Sequence, residues 1–198
     1  MYPYLTFLEP FSTVISLLTL WLGIRQKIAT WPISIIITLL NLLIYHQDKL
    51  YDRWIVGIVS IVFSLYGWYQ WRYGGPNHTL LRKITKVPVT DIPIVLTFLI
   101  FSTTLLSQLL LYLGSKFPYL SSFVTALVLI GLWMSANKKL ENYLIWILVN
   151  VLYMYIHYHK GYNWFTVKYT VYLVSTIWGY YRWSTIYAEQ QLIHTVSS

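Results

Sequence analysis

Four side chains, Ser34, Thr38, Asn41 and Tyr45, step by four, three and four residues, which places them on one face of a helix. A second stretch does the same 112 residues later, with Trp146, Asn150, Tyr153 and His157 at the shifted positions. Two further stretches add Ser60, Ser64 and Trp68, and at the shifted positions Tyr172, Thr176 and Tyr180. Aromatic faces beside amides and hydroxyls suit a flat heterocycle carrying a sugar or amide: rings stack, and polar groups set the orientation. That is recognition chemistry, not bond making. Small hydroxyls also join helices through hydrogen bonds worth roughly 0.5–2 kcal/mol, a role that fits Ser34, Ser60 and Ser64 equally well. Asn150, flanked on its own face by Trp146 and Tyr153, favours a ligand.

Catalysis inside a bilayer would need an acid, base or nucleophile there. Glu9, Asp48, Asp52, Asp91, Glu141 and Glu189 all fall in loops, near the ends of apolar runs or in the tail. His46, His157 and His159 lie near run ends, where interfacial anchoring explains them, and no His and carboxylate cluster has zinc spacing. The sequence therefore predicts no enzyme, no metal site and no cofactor. Lys168 in the last apolar run raises a distant alternative, a seven-helix retinal-type protein. It stands only five residues into that run, can snorkel to the interface, and has no buried carboxylate as counter-ion.

These residues must be held by membrane helices. Hydrophobic residues make up 57% of the 198-residue chain and charged residues 10%, with a mean hydropathy of +0.56, outside the soluble globular range. There is no cysteine. The net charge of +8 is dispersed between apolar runs, which fits membrane topology and argues against a nucleic-acid partner. Apolar runs occur at about 5–24, 31–46, 54–71, 92–114, 120–136, 143–158 and 164–183, predicting an all-α integral membrane protein of seven helices. The start, MYPYLTFLEP, lacks the basic region and small-residue site of a cleavable signal, so the first run is expected to stay in the bilayer.

The segment 72–91 carries Gly74, Gly75 and Pro76 and reads as a linker; 184–198 reads as a frayed polar tail. Arg25, Lys27, Arg72, Arg82, Lys83, Lys86, Lys138, Lys139 and Arg182 fall on one side of the seven spans, and Lys49, Arg53, Lys116 and Lys160 on the other. The richer side predicts a cytoplasmic C-terminus and an external N-terminus.

The hexapeptides YGWYQW at 66–71 and WGYYRW at 178–183 belong to a longer repeat. Residues 21–71 align with 133–183 without a gap, with identities that include Trp21/Trp133, Gly67/Gly179, Tyr69/Tyr181 and Trp71/Trp183. Each copy holds three helices, and the helix at 92–114 restores the orientation between them. The plan is then 3+1+3: a repeat over 5–71, the linker 72–91, the linker helix 92–114 and a second repeat over 120–183. Sugar carriers of the SWEET type share it, with substrate between the parallel repeats near the midplane. Trp71 and Trp183 are expected as interfacial anchors, and Trp68 and Tyr180, a turn earlier, as gate residues.

WPISII at 31–36, LYD at 50–52, YGWYQW at 66–71, NKKLENYLIWILVN at 137–150 and GYYRW at 179–183 resemble the PnuC family of bacterial vitamin transporters, over about residues 14–183. The resemblance implies facilitated diffusion of unphosphorylated nicotinamide riboside across the bacterial inner membrane, trapping by a cytoplasmic vitamin kinase, and a homotrimer. It implies Trp146 and Asn150 as substrate contacts, Glu141 and Asn142 at the entrance and Trp68 near the end of helix 3. Tyr153, Thr38, Asn41, Ser64 and Thr176 complete the substrate-binding set expected from the faces. Gly57 and Ser64 stand where many nicotinamide riboside carriers have Gln and Asn, which keeps thiamine and riboflavin as alternative substrates.

Overall fold

The computed structural model describes residues 3–47, 51–75, 82–115, 117–159 and 163–197. Seven α-helices account for most of them: α1 Pro3–Ile24, α2 Thr30–Gln47, α3 Tyr51–Tyr73, α4 Ile92–Tyr112, α5 Pro118–Ala136, α6 Asn142–His159 and α7 Asn163–Ser197. Prolines in the first turns of α4 and α5 fit positions whose N–H has no intrahelical partner. Gly114, at φ +70°, ends α4 in the left-handed conformation that glycine adopts without a Cβ penalty.

The ends of α1 and α5 are built alike. Gln26 and Lys138, which stand 112 residues apart, both have positive φ, 54° and 49°. Lys27 N donates to Leu22 O at 2.9 Å and Lys139 N to Met134 O at 2.9 Å, while Gln26 N and Lys138 N return to Gly23 O and Ser135 O. Both are helix terminations through a left-handed residue that satisfies the last carbonyls. Neither turn uses glycine.

Helix α2 packs on α1 and α3, and α6 packs on α5 and α7. The two groups meet through α3 against α5 and α1 against α7, while α4 rests on α5. Helices α4 and α5 are long and apolar enough to cross a membrane, and shorter apolar stretches cover Phe11–Ile24 and Thr30–Leu43. Along α4 the outward positions Ile94, Phe98, Phe101 and Leu105 are exposed, an apolar surface suited to lipid.

Two expectations change. Helix α7 continues beyond Trp183 to Ser197, so the region read as a frayed tail is helical. Its Ala188, Glu189, Gln190 and Gln191 are good helix formers without an intervening Gly or Pro, and Ile186 and Tyr187 pack on the core. The linker is not free either. Thr85 pairs with the α5–α6 turn, its N donating to Lys138 O at 3.0 Å and its O accepting from Leu140 N at 2.9 Å. Val87 N donates to Glu141 Oε2 at 3.0 Å, Arg82 Nε to Asn137 O at 3.1 Å, and Ile84 is buried beneath the strap so formed. Pro76, Asp48, Lys49, Lys116 and Lys160 lie outside the described residues, as do the side chains of Tyr45, His46 and Asp52.

Candidate substrate cavity

A cavity of about 410 Å³ lies between the two helix groups, walled by α1, α2, α3, α5, α6 and α7. Its polar lining follows from local sequence. Serine and threonine inside apolar helices return their hydroxyl protons to the carbonyl one turn back, which hides the donor and leaves oxygen lone pairs. Thr38 Oγ1 does so to Ser34 O at 2.7 Å, Ser34 Oγ to Thr30 O at 2.7 Å and Ser60 Oγ to Val56 O at 2.7 Å. Thr176 Oγ1 likewise donates to Tyr172 O at 2.7 Å. Its remaining acceptor capacity is taken by Asn150 Nδ2 at 3.2 Å, a buried link between α6 and α7.

Trp146 is held at its polar edge: Nε1 donates to Ser135 Oγ at 3.0 Å, and Ser135 Oγ donates to Asn142 Oδ1 at 3.3 Å. Tyr153 stacks on Tyr169, with centroids 4.9 Å apart and planes 28° from parallel. Thr38, Asn41, Ser64, Asn142, Trp146, Asn150, Tyr153 and Thr176 thus all line one cavity. Seven of them come from helix faces selected by the helical period, and Asn142, which the resemblance places at the entrance, lies in the same wall.

Three expected residues lie elsewhere. Trp68 is 37% exposed on the outer face of α3, away from the cavity. It is one residue from Gly67, which faces inward, so the 100° step between neighbours turns it outward. Tyr180 is half-buried against the core cluster beside the cavity and is not in its wall. Glu141 anchors the strap through Val87.

Conversely, Trp71 and Trp183 are not interfacial anchors. Both are 2% exposed and close the cavity where the α1–α2 and α5–α6 turns meet. Trp71 Nε1 donates to Ser135 O at 3.0 Å and Trp183 Nε1 to Ile24 O at 3.1 Å, so each indole crosses to the other helix group. Trp71 meets Trp31 edge to face at 5.3 Å, Trp183 meets Tyr143 edge to face at 5.1 Å, and the two join at 6.0 Å. Gly67 and Gly179 permit this: a Cβ on either would fall 2.4 Å from the ring of Trp31 or Tyr143. Trp31 and Tyr143 are themselves 112 positions apart.

Over this plug Lys138 Nζ donates to Gln26 Oε1 at 2.9 Å and sits 4.6 Å from the Trp71 ring centroid. Burial, and after it the charge of Arg82, lower the Lys138 pKa to about 8. Lys168, expected to snorkel, instead lines the cavity with its Nζ 5.6 Å from the Tyr172 ring. An aromatic face can hold an ammonium there, which the position in the helix alone does not disclose.

Other lining residues missed by sequence reasoning include Trp31, Tyr143, Tyr169, Thr19, Thr30 and Ser135. The repeat carried a signal for Trp31 and Tyr143, since both are large aromatics at matched positions; Ser135 has Gly23 as its counterpart and carried none. Among the described residues no group of three or more His, Asp or Glu could hold a metal. The cavity can enclose and orient a small molecule.

Residues 6–185 match the nicotinamide mononucleotide transporter family. The chain is 22% identical to the nicotinamide riboside transporter PnuC of Escherichia coli over 204 residues, covering 90% of this chain and 85% of that one. It is 21% identical to the riboflavin/roseoflavin transporter RibM of Streptomyces davaonensis over 185 residues, covering 87% and 82%. A crystal structure of the vitamin B3 transporter PnuC superposes with a TM-score of 0.74 at 20% identity, over 91% of this chain and 82% of that one, so the fold is shared. The chain belongs to the nicotinamide mononucleotide transporter family, a family of transporters and not of enzymes.

Proposed function

We propose that this protein is a uniporter for nicotinamide riboside in the bacterial inner membrane. The observation that carries the reading is the Trp146 ring beside the Asn150 and Thr176 pair in one cavity between two helix groups. Nicotinamide riboside is a cationic pyridinium with a polar ribose. Indole and phenol faces attract such a ring, and the amide and hydroxyls suit its sugar and carboxamide.

The cavity lies between two three-helix units, 5–71 and 120–183, with 72–91 as linker and 92–114 as linker helix. The matched turns at Gln26 and Lys138, and the matched indole bonds of Trp71 and Trp183, support that 3+1+3 arrangement. Access alternates as one unit rocks against the other. The C-terminus is cytoplasmic and the N-terminus external, which puts the plug and strap at the cytoplasmic end. The working unit is a homotrimer, and a cytoplasmic kinase makes uptake one-way by phosphorylating the product.

Riboflavin is the second reading, favoured by the similarity to the riboflavin/roseoflavin transporter RibM over 87% of this chain.

Titration calorimetry with nicotinamide riboside, riboflavin and thiamine tests the assignment. Nicotinamide riboside is expected to bind, and Asn150→Ala and Trp146→Ala each to weaken it at least about tenfold. Binding of riboflavin or thiamine alone would replace the substrate. Uniport predicts that vesicles never concentrate unmodified substrate above the external level under a proton or sodium gradient; accumulation would refute it.

A further inference from the structure

Ser135, in the last turn of α5, bonds three other side chains. Its hydroxyl accepts from Trp146 Nε1 at 3.0 Å and donates to Asn142 Oδ1 at 3.3 Å, and its carbonyl accepts from Trp71 Nε1 at 3.0 Å. One turn earlier stands Gly131, where a Cβ would lie 3.1 Å from Trp146 Cε2. The indole therefore lies along α5, seated over a glycine and pinned at its polar edge. An indole N–H only donates, and a hydroxyl whose donor and acceptor sides are both engaged cannot swing freely, so the plane of the Trp146 ring is determined by Ser135.

The first helix group has no such shelf. The positions matching Gly131, Ser135 and Trp146 are Thr19, Gly23 and Ser34, and Thr30 Oγ1 donates to Thr19 O at 2.8 Å in that space. Ring recognition is thus one-sided. The same residue that orients the stacking ring also holds one indole of the plug, and its turn is fastened by Asn137 N to Trp133 O at 3.0 Å and Lys139 N to Met134 O at 2.9 Å. A tilt of the Trp146 ring that moves Ser135 moves the carbonyl on which Trp71 hangs.

We propose that Ser135 is the positioning residue of this cavity: its hydroxyl sets the Trp146 ring for stacking on the flat ring of the substrate, and its carbonyl transmits a shift of that ring to the Trp71 plug. The inference rests on reading the cavity as the substrate site and adds how occupancy reaches the plug.

The test is titration calorimetry of the purified full chain with nicotinamide riboside, using Ser135→Ala, Ser135→Thr, Trp146→Phe and the Ser135→Ala/Trp146→Phe pair. Ser135→Ala is expected to weaken binding about fivefold, and Ser135→Thr, which keeps a hydroxyl, to stay within about twofold of the unsubstituted chain. On the Trp146→Phe background, where no N–H remains to be held, Ser135→Ala should cost nothing further. Unchanged affinity in Ser135→Ala, or losses that simply add in the pair, would overturn the positioning role.

The link to the plug is read with Ala136→Cys, a fully buried plug position in a chain that has no other cysteine. Saturating nicotinamide riboside should change its maleimide labelling rate, and Ser135→Ala should abolish that response at a concentration that still saturates binding. A response that persists overturns the link. If riboflavin binds in place of nicotinamide riboside, the substrate named above falls and the same cycle is read with riboflavin. If neither binds, the cavity reading and the inference fall together.

Discussion

Lys138 shows how a single side chain can be both buried and basic. It stands in the α5–α6 turn with its ammonium against the Trp71 face and Gln26, and burial lowers its pKa from 10.5 to about 8. Because the folded value lies below the unfolded one, the unfolded chain holds this proton more tightly between those limits. The contribution of Lys138 to stability therefore rises as pH increases from about 8 towards 10.5 and is at its lowest below 8. We expect the thermal midpoint of the unsubstituted chain to gain on that of Lys138→Met as pH rises through this window. A constant difference between the two midpoints on either side of pH 8 would contradict this. At the same scale, residue type and period selected Asn150, Thr176 and Trp146, and all three line the cavity. It misassigned Trp68 because neighbours on a helix face differently, and only Gly67 with its ring contact tells which of the two points inward.

Among elements, the decisive contacts are where α3 and α7 pass the beginnings of α2 and α6. Gly67 on α3 and Gly179 on α7 let the rings of Trp31 and Tyr143 approach the helix backbone, and with them the indoles of Trp71 and Trp183 reach the opposite helix group. A methyl at either glycine has no room unless the ring moves. Gly67→Ala and Gly179→Ala are each expected to destabilise the protein by about 1–3 kcal/mol, read as a lower thermal midpoint. If both tolerate alanine, the close approach is not what orders the plug. The strap belongs to this scale too: Gly74, Gly75 and Pro76 marked a break between α3 and α4, but nothing local indicated that Ile84 and Thr85 would dock on the α5–α6 turn.

For the whole molecule, the alternating access proposed above has the two helix groups separate at the plugged end. Lys138 and Gln26 face each other across that closure with their polar atoms 2.9 Å apart. The absence of native cysteine makes it directly testable. In the Gln26→Cys/Lys138→Cys double variant, a short bis-maleimide should join the two turns and abolish uptake into vesicles, while either single variant treated alike should retain it. Undiminished uptake by the cross-linked protein would show that these turns need not part.

The sequence by itself determined the class of molecule. Apolar runs, dispersed basic residues and the gapless repeat of 21–71 at 133–183 are properties of composition and period, and they require no knowledge of distance. They sufficed to select four polar helix faces, and ten of those residues line one cavity. What only the tertiary structure decided is which side chains meet across helix groups. That Trp71 and Trp183 are buried in a plug, that Ser135 joins Trp146 to Trp71, and that Lys138 reaches Gln26 all depend on contacts between residues far apart in the chain. An aromatic near the end of a membrane helix can equally face lipid headgroups or a partner helix, because its apolar body and polar edge satisfy both surroundings. Packing, through the glycines that admit the rings and the carbonyls that accept the indole protons, is the physical factor that chose between them.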